Sequence, residues 1–263
     1  MDIPAGVYET FKKDGTRYYR SSITVKGKHI SLGSYDDATA AGRVYIEASQ
    51  IMTSDITVDD YMVSHYFLPY KKYVSLINYR DNGIYIKTPV YLCGRYFTYH
   101  LAPDDILKFD MDDLFYYSTH SIMRRKRHLF VADFGMQVNI LSRYGIREHA
   151  VCGRDYFFAN KDNCDFRYGN IIVENRYYGV THFVKNGVDL YKAKIHINGD
   201  YVIGVYKTAE EAAIAYNKAA HILKEKGLKK SFPENYPESL SAISYAMIYN
   251  SVKISSKIRE FTI

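Results

Sequence analysis

The chain has 263 residues, which is enough for two or three small domains. Its 35 Lys and Arg residues against 29 Asp and Glu give a formal net charge of +6, so a histone-like basic tail is excluded and any basic surface must be local. Three widely spaced cysteines exclude a disulfide framework and a Cys-x-x-Cys zinc site, which favours a reducing compartment.

The N-terminal sequence has no apolar stretch of the kind found in signal peptides, and no apolar run in the chain is long enough to span a membrane. We therefore expect a soluble, cytoplasmic protein without a membrane partner.

The first fifty residues predict three short strands followed by a helix. Asp14-Gly15 is a hairpin signal, because both residue types accept positive φ. Residues 19–26 alternate between an apolar and a polar face, as a half-buried strand does. Leu32-Gly33 is interpreted as the end of the third strand, and Asp36 or Asp37 can cap the helix that follows.

The middle of the chain continues with both helical and strand patterns. Residues 59–77 predict a helix and a connecting segment, and residues 84–99 predict a hairpin around Gly94. Pro103-Asp104-Asp105 predicts the start of a short helix. Aromatic and β-branched stretches then extend to residue 141.

A second copy of the N-terminal pattern follows the middle segment. Asn186-Gly187 matches Asp14-Gly15 at a distance of 172 residues, and Gly204 matches Gly33 at 171, so a one-residue gap falls in the second hairpin. Thr208 and Glu211 have the spacing of a capping box. Two copies in register through turns, strands and helix indicate duplicated units.

Charge is sorted within the first copy. Residues 8–32 carry six Lys or Arg against two acidic residues, whereas the helix that follows is acidic or neutral. A sheet covered by a helix on one face leaves its other face open. Because two copies share this plan, a phosphate-facing surface is favoured over a merely solvated one.

The two copies resemble the AP2 domain, a DNA-binding module of plant transcription factors that also occurs in bacterial and phage integrases and homing endonucleases. The resemblance lies in the Gly-Val opening, the aromatic-x-Ala-x-Ile second strand, the Leu-Gly-x-aromatic run and the Ala-Tyr-x-x-Ala helix at residues 215–219. Residues 177–237 match well, whereas residues 4–53 diverge at Gly42-Arg43-Val44-Tyr45. In that family the open sheet face lies in the DNA major groove.

The resemblance implies specific DNA-contacting positions in each copy. In the first copy they are Tyr8, Thr10, Lys12, Arg20, Ser22, Thr24, His29 and Ser31. In the second they are Thr181, Phe183, Lys185, Lys192, Lys194, His196 and Val202. The basic run between the copies adds Arg124, Arg125, Lys126 and Arg127. The plant domains use Arg and Trp at many of these positions, and this chain has no Trp, so the base sequence recognised is not implied.

Residues 164–173 resemble the Leu-Asp-x-Arg-x-x-Asn-Leu-x-Val signature of HNH homing endonucleases that carry AP2 modules. Such nucleases need a histidine as general base and a metal ion. In the family the histidine lies seven residues before the motif aspartate, where this chain has Phe158, and the second family histidine is absent from residues 136–141. The resemblance therefore implies no catalytic residue, no bound metal and no cofactor.

Three histidines could in principle replace the missing base. They are His120, His128 and His149. An active HNH-type homing endonuclease with a rearranged site therefore stays open as an alternative.

Together these patterns predict an α+β protein in which two small modules, each a three-stranded antiparallel sheet plus a helix, flank a central HNH-like domain of ββα origin. The predicted segments are residues 1–53, 54–176, 177–237 and 238–263. The last segment has helical periodicity, and packing on the body and a homodimer contact are both open for it.

The predicted function is non-catalytic binding of double-stranded DNA by a regulator, for example of transcription, or an accessory factor encoded by a phage or mobile element and acting at the host nucleoid. A second alternative is a phage-encoded inhibitor that binds a host nucleic-acid-processing protein.

Overall fold

The computed structural model describes residues 3–262, apart from the side chain of Ser64. Residues 1, 2 and 263, at the ends of the first and last predicted segments, lie outside the described residues. The chain divides into two compact units, one of residues 1–140 with 162–170 and one of residues 141–161 with 171–263. The central segment predicted from the sequence contributes to both units, and the four-part division stays a prediction.

The α+β class is confirmed. The described residues form four three-stranded antiparallel sheets, one two-stranded sheet and several helices.

The first unit begins with a meander of three antiparallel strands, β1 (Val7–Phe11), β2 (Arg17–Val25) and β3 (Lys28–Tyr35). Helix α1 (Ala38–Thr53) follows, and the Asp37 carboxylate caps it by accepting the Ala40 N–H at 2.7 Å. The first hairpin closes through residues 12–16, where Asp14 accepts the Thr16 N–H at 2.9 Å.

Helix α1 covers one face of this sheet. Its buried side chains Val44, Ala48 and Ile51 pack against apolar side chains of β2 and β3. A 3₁₀ turn (Val58–Asp60) and the short helix α2 (Tyr61–Ser64) lead to helix α3 (Tyr70–Asn82). Helix α3 adds a second layer to the same core.

Two further sheets complete the first unit. One contains β4 (Val90–Leu92), β5 (Tyr96–Ala102) and β6 (Asp105–Asp110). A 3₁₀ turn (Met111–Asp113) and helix α4 (Leu114–Thr119) connect it to β7 (Ile122–Arg125), β8 (His128–Asp133) and β9 (Met136–Asn139).

The hairpin predicted around Gly94 is confirmed by β4 and β5, but the short helix predicted from Pro103 is wrong. Strand β6 begins there, at Asp105. Leu107 and Phe109 are buried at alternate positions and pair with Tyr99 and Phe97 of β5. This period of two is satisfied by a strand and not by a helix.

Residues 162–170 dock on β6. The Lys108 N–H donates to the Cys164 carbonyl at 2.9 Å, and the Phe166 N–H donates to the Lys108 carbonyl at 2.8 Å. The Phe166 ring stacks on Phe109 with centroids 5.6 Å apart. A 3₁₀ turn (Tyr168–Asn170) ends the segment.

The second unit opens with the short strand pair β10 (Tyr156–Phe158) and β11 (Ile171–Val173), after a 3₁₀ turn at Ile140–Tyr144. The second copy then forms β12 (Val180–Lys185), β13 (Val188–His196), β14 (Asp200–Tyr206) and helix α5 (Ala209–Glu225). Asn186 and Gly187 form a two-residue turn with φ of 52° and 73°, as the sequence predicts.

The C-terminal tail forms helices α6 (Ala242–Ser251) and α7 (Ser256–Arg259), so its predicted helicity is confirmed. Ile254 and Ile258 pack into the same core as the alanine-rich face of α5 and the buried side of β12, β13 and β14. The core of the second copy thus includes residues beyond the predicted module end at 237.

Both copies contain a β-bulge at the same place. Ser21 pairs with Gly33 and Ser22 with Ser31, so Leu32 is an extra residue on β3. Ile203 is the equivalent extra residue on β14. Both extra side chains are buried under the helix. The prediction that the third strand ends at Leu-Gly is wrong, because each strand continues two residues past the bulge glycine.

Each copy opens with a glycine that contacts a tyrosine of its helix. Gly6 has φ of 68° and lies against the Tyr45 ring, and Gly179 has φ of 69° and lies against the Tyr216 ring. A Cβ at either glycine would overlap that ring. Tyr45 therefore takes the same place as Tyr216, although the sequence around it diverges.

Candidate nucleic-acid interface

The face of β1–β2–β3 turned away from α1 is called the first open face. Arg20 lies between Tyr8 and Ser34 across the three strands, and Thr24 lies opposite His29. By alternation this face contains Tyr8, Thr10, Lys12, Tyr18, Arg20, Ser22, Thr24, His29, Ser31 and Ser34.

The predicted contact residues of the first copy share this face. All are exposed or half-buried except Ser22, which is 7 % exposed, and the contact role of these residues stays a prediction. Ser22 lies at the bulge, and its N–H donates to the Gly6 carbonyl at 2.9 Å.

Arg20 is held by a residue that sequence reasoning missed. Its Nη2 donates to the Tyr18 hydroxyl at 3.0 Å, and its guanidinium lies 5.6 Å from the centre of the Tyr18 ring. A guanidinium has five N–H donors, so the Tyr18 bond occupies only one of them. The position of Tyr18, two residues before Arg20 on one strand, is the signal that could have identified it.

Not every basic residue of the first copy lies on the open face. Arg17 and Lys28 alternate onto the side that α1 covers. Arg17 pairs with Glu9 at 3.3 Å, and the Lys28 ammonium lies 6.0 Å from the centre of the Tyr85 ring. Arg17 therefore differs from Arg20 in orientation while sharing its strand and its charge.

The face of β12–β13–β14 turned away from α5 is called the second open face. It contains every predicted contact of the second copy, Thr181, Phe183, Lys185, Lys192, Lys194, His196 and Val202. It also contains Val188, Leu190, Asp200 and Val205, which sequence reasoning missed. Val205 was missed because β14 was predicted to end at the glycine before it.

Cations on the second open face lie close to aromatic and acidic groups. The Lys192 ammonium lies 5.1 Å from the centre of the Phe183 ring. His196 Nδ1 and Asp200 Oδ1 are 2.9 Å apart, and this hydrogen bond lowers the pKa of Asp200. The Asp200 carboxylate at this end of the face is thus paired with a neighbouring histidine.

The basic run forms the hairpin between β7 and β8, on a separate sheet. Arg124 donates two hydrogen bonds of 2.6 Å to the Asp105 carboxylate, which compensates its charge. The Arg125 guanidinium lies 5.2 Å from the centre of the Phe130 ring, and Lys126 and Arg127 are exposed at the turn. These four residues lie on the sheet of β7–β9, whereas the first open face belongs to the separate sheet of β1–β3.

The HNH-like motif forms a hydrogen-bonded turn. Asp165 is fully buried and accepts from Arg167 Nε at 2.8 Å and Nη2 at 2.6 Å, a pairing that raises the pKa of Arg167. The Asn170 side chain donates to the Asp165 carbonyl at 2.8 Å. In the second unit Phe158 is half-buried on β10, whereas Phe157 is exposed. The motif aspartate is therefore engaged by an arginine.

The three alternative histidines occupy different settings. His120 stacks on Tyr116 with centroids 4.2 Å apart and lies 3.6 Å from an Asp133 carboxylate oxygen. His128 and His149 are exposed. Within residues 3–262 no group of three or more His, Cys, Asp and Glu side chains is arranged to hold a metal ion.

The helices that the structure describes include none both long and apolar enough to cross a membrane. Comparison with known proteins gives no match to any family model, any curated protein or any solved structure.

Proposed function

We propose that this protein binds double-stranded DNA without cutting it, and that the two open faces enter the major groove as AP2-like modules. The observation that carries the proposal is that both copies keep one sheet face free of helix and place basic side chains on it. A two-stranded or three-stranded β-surface fits the major groove, which is about 12 Å wide.

The charges on the two faces support an anionic partner. Lys12 and Arg20 lie on the first face, and Lys185, Lys192 and Lys194 lie on the second. Two acidic residues near them in sequence are turned away or paired, while Asp14 lies in the hairpin beside Lys12 and accepts the Thr16 N–H. Glu9 binds Arg17 on the covered side, and Asp200 binds His196. Local positive surface of this kind attracts phosphate even when net charge is modest.

Duplex binding measured at several salt concentrations tests the proposal. Each lysine or arginine that neutralises a phosphate displaces counterions, so removing one such side chain should make the slope of log K against log salt shallower by about 0.9. We expect Arg20→Ala to remove one phosphate interaction and the pair Lys192→Ala with Lys194→Ala to remove up to two more.

Arg17→Ala is the matched control, because it removes the same charge from the same strand on the covered side. It should leave both affinity and salt slope nearly unchanged. Equal effects of Arg17→Ala and Arg20→Ala, or duplex binding that is indifferent to salt, would contradict the proposal.

As part of the same proposal, the protein acts as a regulator or accessory factor of phage or mobile-element type and is derived from an HNH homing endonuclease. Incubation with supercoiled plasmid and Mg²⁺ or Mn²⁺ separates it from an active nuclease. We expect the plasmid to stay intact. Metal-dependent nicking that His149→Ala abolishes would support the endonuclease instead.

A further inference from the structure

The two open faces differ in chemistry. The first displays hydroxyl groups and a guanidinium, from residues such as Thr24, Ser31 and Arg20. The second displays aliphatic side chains, since Val188, Val202 and Val205 are 56 %, 45 % and 48 % exposed. Leu190 and Phe183 lie on the same face and are half-buried.

Removing exposed aliphatic side chains from water is favourable, by about 25 cal/mol for each Å² of apolar surface buried. The second open face therefore favours a partner that offers apolar groups. It also favours an anion, because Lys194 lies directly opposite Val202 and Lys192 directly opposite Val205.

Few anionic partners present apolar groups at regular positions. In the major groove of DNA the C5-methyl group of thymine projects from the base edge, with phosphates on both sides. The pattern of one valine and one lysine facing each other, repeated along β13 and β14, matches this combination.

We infer that the second open face selects thymine, with Val202 and Val205 contacting C5-methyl groups while Lys192 and Lys194 contact phosphates. This inference rests on the proposed function, since it requires that the face enter the major groove. It assigns base preference to apolar contacts in the second unit and leaves hydrogen-bond readout to the first.

The test begins with selection of bound duplexes from a random-sequence pool by the full chain. The selected duplex is then remade with deoxyuridine in place of each thymidine, which removes only the methyl group and keeps the base pairing. We expect affinity to fall by about fourfold for each contacted methyl group removed.

Protein variants locate the effect. Val202→Ser combined with Val205→Ser removes the methyl groups of both side chains and puts one hydroxyl in place of each isopropyl group. This double variant should bind the thymine and uracil duplexes with nearly equal affinity. Val184→Ser is the control: Val184 is similarly exposed on the other side of β12, so this variant should keep the full preference.

The outcomes separate the inference from the proposed function. Absence of thymine enrichment, equal affinity for both duplexes, or a preference that the double variant retains would overturn the inference, while salt-dependent binding that needs Arg20 would still support DNA binding. If the apolar face instead serves a protein partner, neither uracil nor the valine changes will alter duplex affinity. Failure of the full chain to bind any duplex would contradict both the inference and the proposed function.

Discussion

The same sheet-and-helix motif is completed in two different ways in this molecule. In the first unit the core of β2, β3 and α1 is closed by α3, through buried side chains such as Leu76 and Ile77. In the second unit the core of β12–β14 and α5 is closed by the C-terminal tail, through Ile254 and Ile258. Each outer layer comes from sequence outside the repeat.

The difference shows what the repeat can and cannot do by itself. Three strands and one helix bury little surface, and domains of this size are marginally stable. Residues that complete each core need only fill apolar space, so they carry no repeat signature. A motif can therefore be duplicated while its outer layers are unrelated.

Removing one side chain from either outer layer should have the largest effect. Leu76→Ala and Ile258→Ala each create a cavity in a fully buried site and should cost about 3 to 4 kcal/mol of unfolding free energy. Amide hydrogen exchange should show reduced protection in β1–β3 for Leu76→Ala and in β12–β14 for Ile258→Ala. Ile243→Ala, at an exposed position on α6, is the control. Unchanged protection of β12–β14 in Ile258→Ala would contradict the assigned role of the tail.

A second comparison concerns the opening glycines. Gly6→Ala and Gly179→Ala combine positive φ with overlap against a tyrosine ring, and each should cost about 3 kcal/mol. Gly15→Ala and Gly187→Ala have positive φ but open space, so each should cost only about 1 kcal/mol. Denaturant unfolding measures all four. If Gly6→Ala lowers the unfolding free energy by as little as Gly15→Ala does, while Gly179→Ala has the larger cost, the two copies are not equivalent at this glycine–tyrosine contact.

Acid should affect the first unit through His100. This side chain is buried between Tyr70 and Thr98, and burial lowers its pKa to about 4. The unfolded chain binds the proton near pH 6.5, so stability is full above that pH and falls as pH approaches 4. We expect a decrease of about 2 kcal/mol in unfolding free energy between pH 7 and pH 5. His100→Gln should remove this part of the pH dependence, and an unchanged pH profile would contradict the assignment.

The smallest effect should come from an ion pair whose charges are reversed between the copies. Glu9 and Arg17 pair in the first copy, and His182 and Asp189 take the equivalent positions in the second. Arg17→Ala should cost about 0.3 kcal/mol at every pH from 5 to 8, because the pair is exposed.

The reversed pair should respond to pH, unlike its counterpart. The hydrogen bond that His182 donates to the Asp189 carboxylate, assisted by Glu174, raises the pKa of His182. Its stabilising contribution is therefore present below about pH 6.5 and disappears as pH rises through the raised pKa. His182→Gln should lower stability in acid more than at pH 9, as thermal unfolding can show. A cost independent of pH would contradict this.

The sequence predicts the parts of the fold that depend on local chemistry. Asn186-Gly187 gives the turn, and the alternation along β13 gives the face to which Lys192 and Lys194 belong. The outer layers were not predictable, because Leu76 and Ile258 act through contacts distant in sequence. Pro103-Asp104-Asp105 does not by itself distinguish a helix start from a turn that leads into a strand. Only the period of two at Leu107 and Phe109 identifies the strand.

The residues of the candidate site were likewise predictable where they depend on local alternation and not where they depend on contacts distant in sequence. Arg20 and the lysines follow from alternation, whereas alternation gives no sign that Ser22, at the bulge, is buried. Arg124 illustrates a further limit, since its pairing with Asp105 joins two sheets that no local pattern connects. Ser34 and Val205 were missed because the predicted ends of β3 and β14 each fall two residues too early, at the bulge.

The paired bulges have a consequence for how the gene can vary. Each bulge places two consecutive residues of the third strand on the inward side, so Ser34 and Val205 face outward three positions after Ser31 and Val202. Deletion of the Leu32 or Ile203 codon would therefore restore plain alternation and keep Ser34 or Val205 outward. Its cost would be the loss of one fully buried aliphatic side chain. Insertion of one codon, in contrast, would need a further bulge to keep Tyr35 or Tyr206 on the inward side.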